Sequence, residues 1–427
     1  MQILVLFGAV LALVLFDIPI AIALGVVAVV ALVITQGVAM LPNVAITMYN
    51  GATSFPLIAI PLFILSGAIM NASGISRRLI AFASALLGWI RGGLAMVSIG
   101  TSLFFAEISG SAVADAAALG SILIPAMRSR GYTKEFAASV ISSSATLAVI
   151  IPPSIPMLLY AVIAGTSVVK LFVSGIVPGI LGGLGMMGVA YWFARRYNFP
   201  VEQSFRWANV GKTFREALWA FVLPVVILGT IFGGIVTATE GAAIAVLAAL
   251  FVGFVVYREL DVKVLRTSIV EGGVQTAVVM LLVAASALLG VYLTETHMPQ
   301  QLAQSILDFT SNKWAVLAIL NVLFLILGFF LHSAAAIILV VPVVMPLVNA
   351  VGIDPVHFGL IVTINLGIGQ QTPPVASVLM TCCAIAKADM WEVTKVNVYF
   401  VAVLLAVLML VTYVPFVGMG LVDFFYH

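Results

Sequence analysis

Apolar runs of about 20 residues, the length that spans a hydrocarbon core as a helix, recur from one end of the chain to the other, separated by short polar connections. The pattern predicts spans at 55–72, 135–163, 171–194, 217–235, 239–257, 267–295, 355–387 and 393–414. Two further apolar segments, 93–127 and 313–350, enter and return on one side. The stretch Trp207–Phe214 (WANVGKTF) is polar enough for an interfacial helix. Residues 3–35 are too long for one straight span, and Asp17 and Pro19 interrupt them, so they cross either once or twice. The first sixteen residues have no basic leader and no small-residue cleavage site, so they read as a mature span. The runs are continuous rather than alternating, which excludes a membrane β-barrel and indicates an all-α polytopic membrane protein.

Composition sharpens this. The 427 residues are 63% hydrophobic and 8% charged, against about 25% charged in soluble domains, and the mean hydropathy is +1.25. A net charge of +2 supplies no basic face, so nucleic acid is not a partner. The only cysteines, Cys382 and Cys383, are neighbours in an apolar stretch and define neither a disulfide framework nor a zinc site. No HExxH or GxSxG motif occurs and the four histidines (297, 332, 357, 427) are scattered, so an intramembrane enzyme is not indicated.

Placement of the few charges orients the spans. Lys and Arg cluster at Arg77, Arg78 and Arg91, at Arg128, Arg130 and Lys134, at 195–215, at Arg258, Lys263 and Arg266, and at Lys387 and Lys395. The positive-inside rule puts each cluster in the cytoplasm. The connections near 36–54, 164–169, 236–240 and 295–312 carry almost none and belong outside; Lys170 is read as an interfacial anchor.

The chain also repeats itself at an offset of 221 residues. Gly51 matches Gly272, Pro125 matches Pro346, Gly131 matches Gly352, and Pro152-Pro153 match Pro373-Pro374. The segments IIPPSIP (150–156) and QTPPVAS (371–377) are thereby equivalent, as are FFAEISGSA (104–112) and LGFFLHSAA (327–335). The first copy starts outside and the second inside, so the repeats are inverted, as in many secondary transporters with a midplane site on broken helices. The resulting division is 1–54, N-terminal scaffold helices; 55–165, the first repeat; 166–266, connecting and scaffold helices; 267–387, the second repeat; and 388–427, a C-terminal helix.

Each repeat holds two irregular elements. The limbs 93–108 and 112–127 are each about 24 Å long if helical, short of a core of roughly 30 Å, and Ser109-Gly110-Ser111 breaks the helix between them. A re-entrant hairpin is expected there, with its counterpart tip near Leu331-His332-Ser333. Pro152-Pro153 and Pro373-Pro374 each stop a helix in mid-membrane, because proline lacks the N–H and clashes with the preceding turn. Such a break is tolerated only where protein or a water-filled cavity covers it. Freed carbonyls and hydroxyls suit a small hard cation, and the helix starts after the breaks suit an anion. Of the acids, Asp115 and Glu107 flank the first tip, Asp115 also suiting the start of its helix, while Glu240 lies at a span start. Asn365, Gln370 and Gln371, with Thr146, Ser154 and Ser377, could read substrate hydroxyls. A channel is the other reading that an inverted repeat with polar breaks allows.

The segments SFPLIAIPLFILSGAIMNASGISRRL (54–79), SGSAVADAAALGSILIPAM (109–127), TLAVIIPPSIPMLLYA (146–161) and DPVHFGLIVTINLGIGQQTPPVASVL (354–379) resemble the large membrane subunit of tripartite ATP-independent periplasmic (TRAP) transporters, over essentially the whole chain. The resemblance implies an elevator carrier of the ion-transporter superfamily, in which two hairpins and two broken helices move against a scaffold. It implies sodium-driven import of an organic acid across the bacterial inner membrane, with a small four-helix membrane subunit, expected as a separate chain, and a periplasmic binding protein. A first sodium site is expected at Ser109 and Ser111 with backbone oxygens of Ala148, Ile151 and Pro153. A second is expected around Phe330, His332, Gly369, Thr372 and Pro374. His332 departs from the acidic residue expected at the second tip of many relatives. A neutral imidazole is a poor sodium ligand, which points it to the substrate or to locking the tip. Substrate contacts are expected from Asp115, Ser154, His332, Ser333, Gln371 and Ser377. The polar surroundings of the second break are most similar to the sialic-acid branch; C4-dicarboxylates, sugar acids and keto acids are alternatives, as is a stand-alone carrier of the same superfamily.

Overall fold

The computed structural model describes the backbone of residues 2–16, 18–202 and 204–426, and their side chains except those of 2–4, 15 and 105–109. Asp17 and the side chains of Glu107 and Ser109 lie outside the described residues. Every regular element among the described residues is helical.

The N-terminal 35 residues are two helices, α1 (Gln2–Leu15) and α2 (Ile20–Gln36), because Pro19 starts α2 at a position where a missing N–H costs nothing. Next come α3 (Leu41–Ala52), α4 (Ala59–Ala72) and the amphipathic α5 (Ile75–Leu87). A hairpin follows, with limbs α6 (Gly93–Ser109) and α7 (Ala112–Ser129). The first broken helix is α8 (Lys134–Ala145) with a single further turn, α9 (Leu147–Ile150), then an interruption, then α10 (Ile155–Ala164). Behind it run α11 (Val168–Arg196) and α12 (Trp207–Phe232). The interfacial helix expected at 207–214 is not separate: nothing in Arg215-Glu216-Ala217 interrupts a helix, so it continues unbroken into the span. Then come α13 (Ala238–Phe251), α14 (Val262–Thr296) and α15 (Met298–Phe309). The second hairpin is α16 (Lys313–Phe330) and α17 (Ser333–Ala350). The second broken helix is α18 (Pro355–Gly369) and α19 (Ser377–Ala386), followed by α20 (Met390–Tyr413) and α21 (Phe416–Phe425).

The 221-residue offset extends to the ends of elements. Ala112–Ser129 maps onto Ser333–Ala350 without remainder, and Lys134 onto Pro355. The same offset aligns α5 with α15 to within two residues, so the outer connection at 295–312 contains a helix. The 35 residues of α14 make about 52 Å of helix. It forms a scaffold strut against α2, α3 and α4, while α4 also packs on α13.

The two repeats interlock. The limb α7 of the first packs on α19 of the second, and α17 of the second packs on α10 of the first. Each post-break helix is thereby covered by the opposite repeat, which supplies the protein cover that an interrupted helix in lipid requires. Polar bridges tie hairpin to broken helix in both halves. Ser102 donates to Ser144 at 2.9 Å, and Asn365 Nδ2 donates to Asn321 Oδ1 at 2.7 Å. Ser144 and Asn365 are themselves one offset apart.

Of the charges, Arg77 and Arg78 hold Glu259 at 2.5 and 2.7 Å, where α4 hands over to α5. Asp115, in the first turn of α7, is the only Asp, Glu, Lys or Arg among the described residues that is fully buried.

Candidate functional site: a cavity between two helix breaks

Covalent chemistry decides which carbonyls the first break releases. Residues 152 and 153 are prolines, so the carbonyls of Ala148 and Val149 lose the N–H groups four residues on. Ser154 repairs one of them: its hydroxyl donates to Val149 O at 2.7 Å and accepts from Met157 N at 3.4 Å, capping α10. Ser154 is thus buried and turned toward its own backbone. Ala148 and Ile151 are buried beside it. The hairpin tip closes on this break. Gly110 adopts φ +60°, and a Cβ there would lie 2.8 Å from the Pro153 carbonyl oxygen, so only glycine permits the approach. Ser111 caps α7 by accepting from Ala114 N at 3.5 Å. The expected first-site positions Ser111, Ala148, Ile151 and Pro153 therefore belong to one tip-and-break junction; the side chain of Ser109 lies outside the described residues.

At the second break, Pro373 and Pro374 release the carbonyls of Gly369 and Gln370. The chain refolds onto both: Thr372 N donates to Gly369 O at 3.0 Å, and Val378 N to Gln370 O at 3.0 Å. Thr372 Oγ1 donates to Ile368 O at 2.9 Å. Gly369 abuts Gly328 of the hairpin, where a Cβ would meet backbone atoms at 2.4 Å. The two junctions differ in exposure. Residues 151–154 are buried, whereas Pro374, Val375 and Phe330 face outward.

A cavity of about 570 Å³ lies between the tips and the breaks. Four helix starts converge on it: Ala112 to Ala114 of α7, Ile155 and Pro156 of α10, Ala334 of α17, and Ser377 of α19. The fifth wall is α14 of the scaffold, through Val274, Gln275 and Val278. Its polar side chains are Ser111, Gln275, His332, Gln370 and Ser377, and among the described residues it has no Lys, Arg, Asp or Glu. The positive ends of four helix dipoles therefore face a chamber whose polar side chains are all neutral, which suits an anion. A second, smaller cavity adjoins it through Ile64, Ala114 and Gln275 and leads to Asn71 and Glu271, at the ends of α4 and α14 that carry the basic clusters.

Of the expected substrate contacts, His332 and Ser377 line the cavity. Asp115 lies one turn behind the tip, and Ser333 is buried at the start of α17, where it accepts from Gln370 Nε2. Gln371 points elsewhere. Ser143 Oγ stands 2.7 Å from both Gln371 Oε1 and Asn397 Oδ1, Asn397 Nδ2 donates to Gln371 O at 2.9 Å, and Gln371 Nε2 reaches Thr146 Oγ1 at 3.4 Å. Asn397 of α20 and Asn321 of α16 were not singled out from the sequence. Each is a lone amide in an apolar span, a signal that such a residue is paired inside the protein.

The arrangement of two hairpins and two broken helices against a helical scaffold is that of a polytopic membrane transporter. The fold is similar to that of the YdaH transporter of Alcanivorax borkumensis, whose crystal structure reveals an unusual topology, with a TM-score of 0.62 over 90% of this chain and 89% of that one, at 15% identity. A family model described as "Tripartite ATP-independent periplasmic transporter, DctM component" matches residues 7–417. The chain is 42% identical over 419 residues to an isethionate TRAP transporter permease protein, DctMQ, of Oleidesulfovibrio alaskensis, covering 97% of this chain and 65% of that one. It is 37% identical over 439 residues to a C4-dicarboxylate TRAP transporter large permease protein, DctM, of Vibrio cholerae, covering 98% and 97%. A sialic acid TRAP transporter large permease protein, SiaM, from the same organism is 36% identical over 368 residues, 86% of each chain. The chain belongs to the DctM family, the large membrane component of TRAP transporters. It is a multi-pass protein of the bacterial inner membrane, a permease rather than an enzyme.

Proposed function

We propose that the chain carries an organic acid into the cell, coupled to sodium, by an elevator movement of the two hairpins and two broken helices against the scaffold of α1–α4 and α12–α14. The convergence of four helix starts on one cavity, where each hairpin tip meets a proline-interrupted helix, carries this reading. The helix starts take the carboxylate. The oxygens of Ser111, Ala148, Ile151 and Pro153 at one junction, and of the second tip, Gly369, Thr372 and Pro374 at the other, are neutral hard donors of the kind sodium takes. Sodium charge beside the cavity then offsets the charge of the acid, so neither is buried uncompensated. Because the cavity is walled on one side by α14, sliding the tips along that strut exposes it to either face in turn, as inverted repeats permit. The small membrane subunit enlarges the scaffold and a periplasmic binding protein delivers the acid.

Sodium-gradient-driven uptake tests this. Proteoliposomes holding this chain and the small subunit, supplied with the binding protein and a panel of acids including sialic acid and C4-dicarboxylates, are expected to show saturable, electrogenic uptake that stops when the sodium gradient is collapsed. Uptake indifferent to that gradient overturns the coupling; non-saturable flux favours a channel. Uptake by this chain alone overturns the need for partners.

A further inference from the structure

Three amides crowd the second break, and the fold gives each a different task. Asn365 is tied to Asn321 and to Ile361 O, away from the cavity. Gln371 belongs to the Ser143–Asn397 cluster. Gln370 alone of the three lines the cavity. It is 2% exposed, its Nε2 is held by Ser333 Oγ, and its Oε1 has no partner in the protein. A buried acceptor left unpaired costs free energy that a bound donor returns. Such an acceptor does not attract a carboxylate. It attracts a neutral O–H or N–H.

We propose, resting on the function assigned above, that Gln370 is the specificity residue of the cavity: its Oε1 accepts a hydrogen bond from a hydroxyl on the bound acid, while the helix starts hold the carboxylate. The chain therefore selects hydroxy acids over the same acids lacking the hydroxyl. The geometry supports the division of labour. The helix starts on the cavity belong to α7, α10, α17 and α19 and present the positive ends of their dipoles, whereas Gln370 caps the opposite, C-terminal end of α18. A deoxy acid would leave the buried Oε1 unpaired, and sites built around a substrate hydroxyl discriminate most strongly by that route.

The test reads binding at this chain, without the binding protein and its own selectivity. The purified large and small subunits in nanodiscs, in sodium chloride, are titrated with matched pairs: malate against succinate, lactate against propionate, gluconate against 2-deoxygluconate. In the wild type, at least one hydroxy acid should bind about tenfold more tightly than its partner, the size of one net hydrogen bond plus the avoided unpaired group. Gln370→Met, close in volume, should lower that ratio to near one by weakening the hydroxy acid alone. Gln370→Glu keeps an acceptor and should preserve the ratio. Thermal stability and sodium activation of each variant report folding separately. If Gln370→Met weakens both members of a pair equally, the amide holds the carboxylate through Nε2 and the proposal is overturned. An unchanged ratio overturns it too. If no acid on the panel binds the wild type with sodium present, the transport reading fails instead.

Discussion

Gly369→Ala and Gly367→Ala alter the same helix two residues apart, and the structure assigns them opposite signs. At Gly369 the new methyl would sit 2.4 Å from Cα and the carbonyl carbon of Gly328, and 2.7 Å from its oxygen. Carbon atoms rest at roughly 3.5–4.0 Å, so α16 and α18 must separate by about 1 Å. The obstacle is backbone, and no rotamer change relieves it. Overpacking of this kind costs about 1–3 kcal/mol, and occasionally more. Alanine returns about 1 kcal/mol of helix propensity, leaving a net loss of up to about 2 kcal/mol. The separation also strains the Asn365–Asn321 bridge of 2.7 Å between the same helices. At Gly367 the nearest atoms are Thr146 O and Val149 Cβ, both 3.8 Å away, which is ordinary contact. There the propensity gain survives, and the substitution should stabilise by up to about 1 kcal/mol. Thermal unfolding in nanodiscs at one fixed scan rate compares the two, since unfolding of such a protein is governed by rate. Sodium activation of uptake is the second readout: Gly369→Ala should raise the concentration for half-maximal activation because it displaces a carbonyl proposed as a ligand, while Gly367→Ala should not. Equal melting temperatures for the two variants would refute the packing argument.

Three further outcomes follow from single contacts. Asn397→Leu removes the donor to the Gln371 carbonyl and an acceptor of Ser143; at about 1–3 kcal/mol per orphaned buried group, it should lower the melting temperature more than any exposed substitution on α20. Ser111→Ala combined with Thr372→Ala should shift the sodium activation curve of uptake to higher concentration while the protein still inserts; a superimposable curve would remove both residues from the sodium sites. Glu259→Gln loosens Arg77, which is 71% exposed, and Arg78, which is 22% exposed; the Arg77 arm should contribute under about 1 kcal/mol and fade in high salt, while the partly buried Arg78 arm should carry most of the loss in melting temperature.

The sequence alone determined that the chain spans a membrane as helices, that it is built from two copies 221 residues apart, and which carbonyls are released at each break. These properties are local or additive. Apolar runs report burial in lipid, register reports duplication, and proline removes a hydrogen bond wherever it stands. What each polar side chain does was decided by tertiary structure. Gln370 and Gln371 are adjacent and chemically identical, yet one lines the cavity and the other is locked to Ser143 and Asn397, 228 and 26 residues away in sequence. Both follow the last helical residue of α18, where the 3.6-residue period that predicts facing no longer applies. Likewise Ser154, expected at the substrate, serves the carbonyl that its neighbouring prolines set free. A broken helix announces itself in sequence because the break is covalent. The facing of the residues around it depends on which helices of the other repeat close over it.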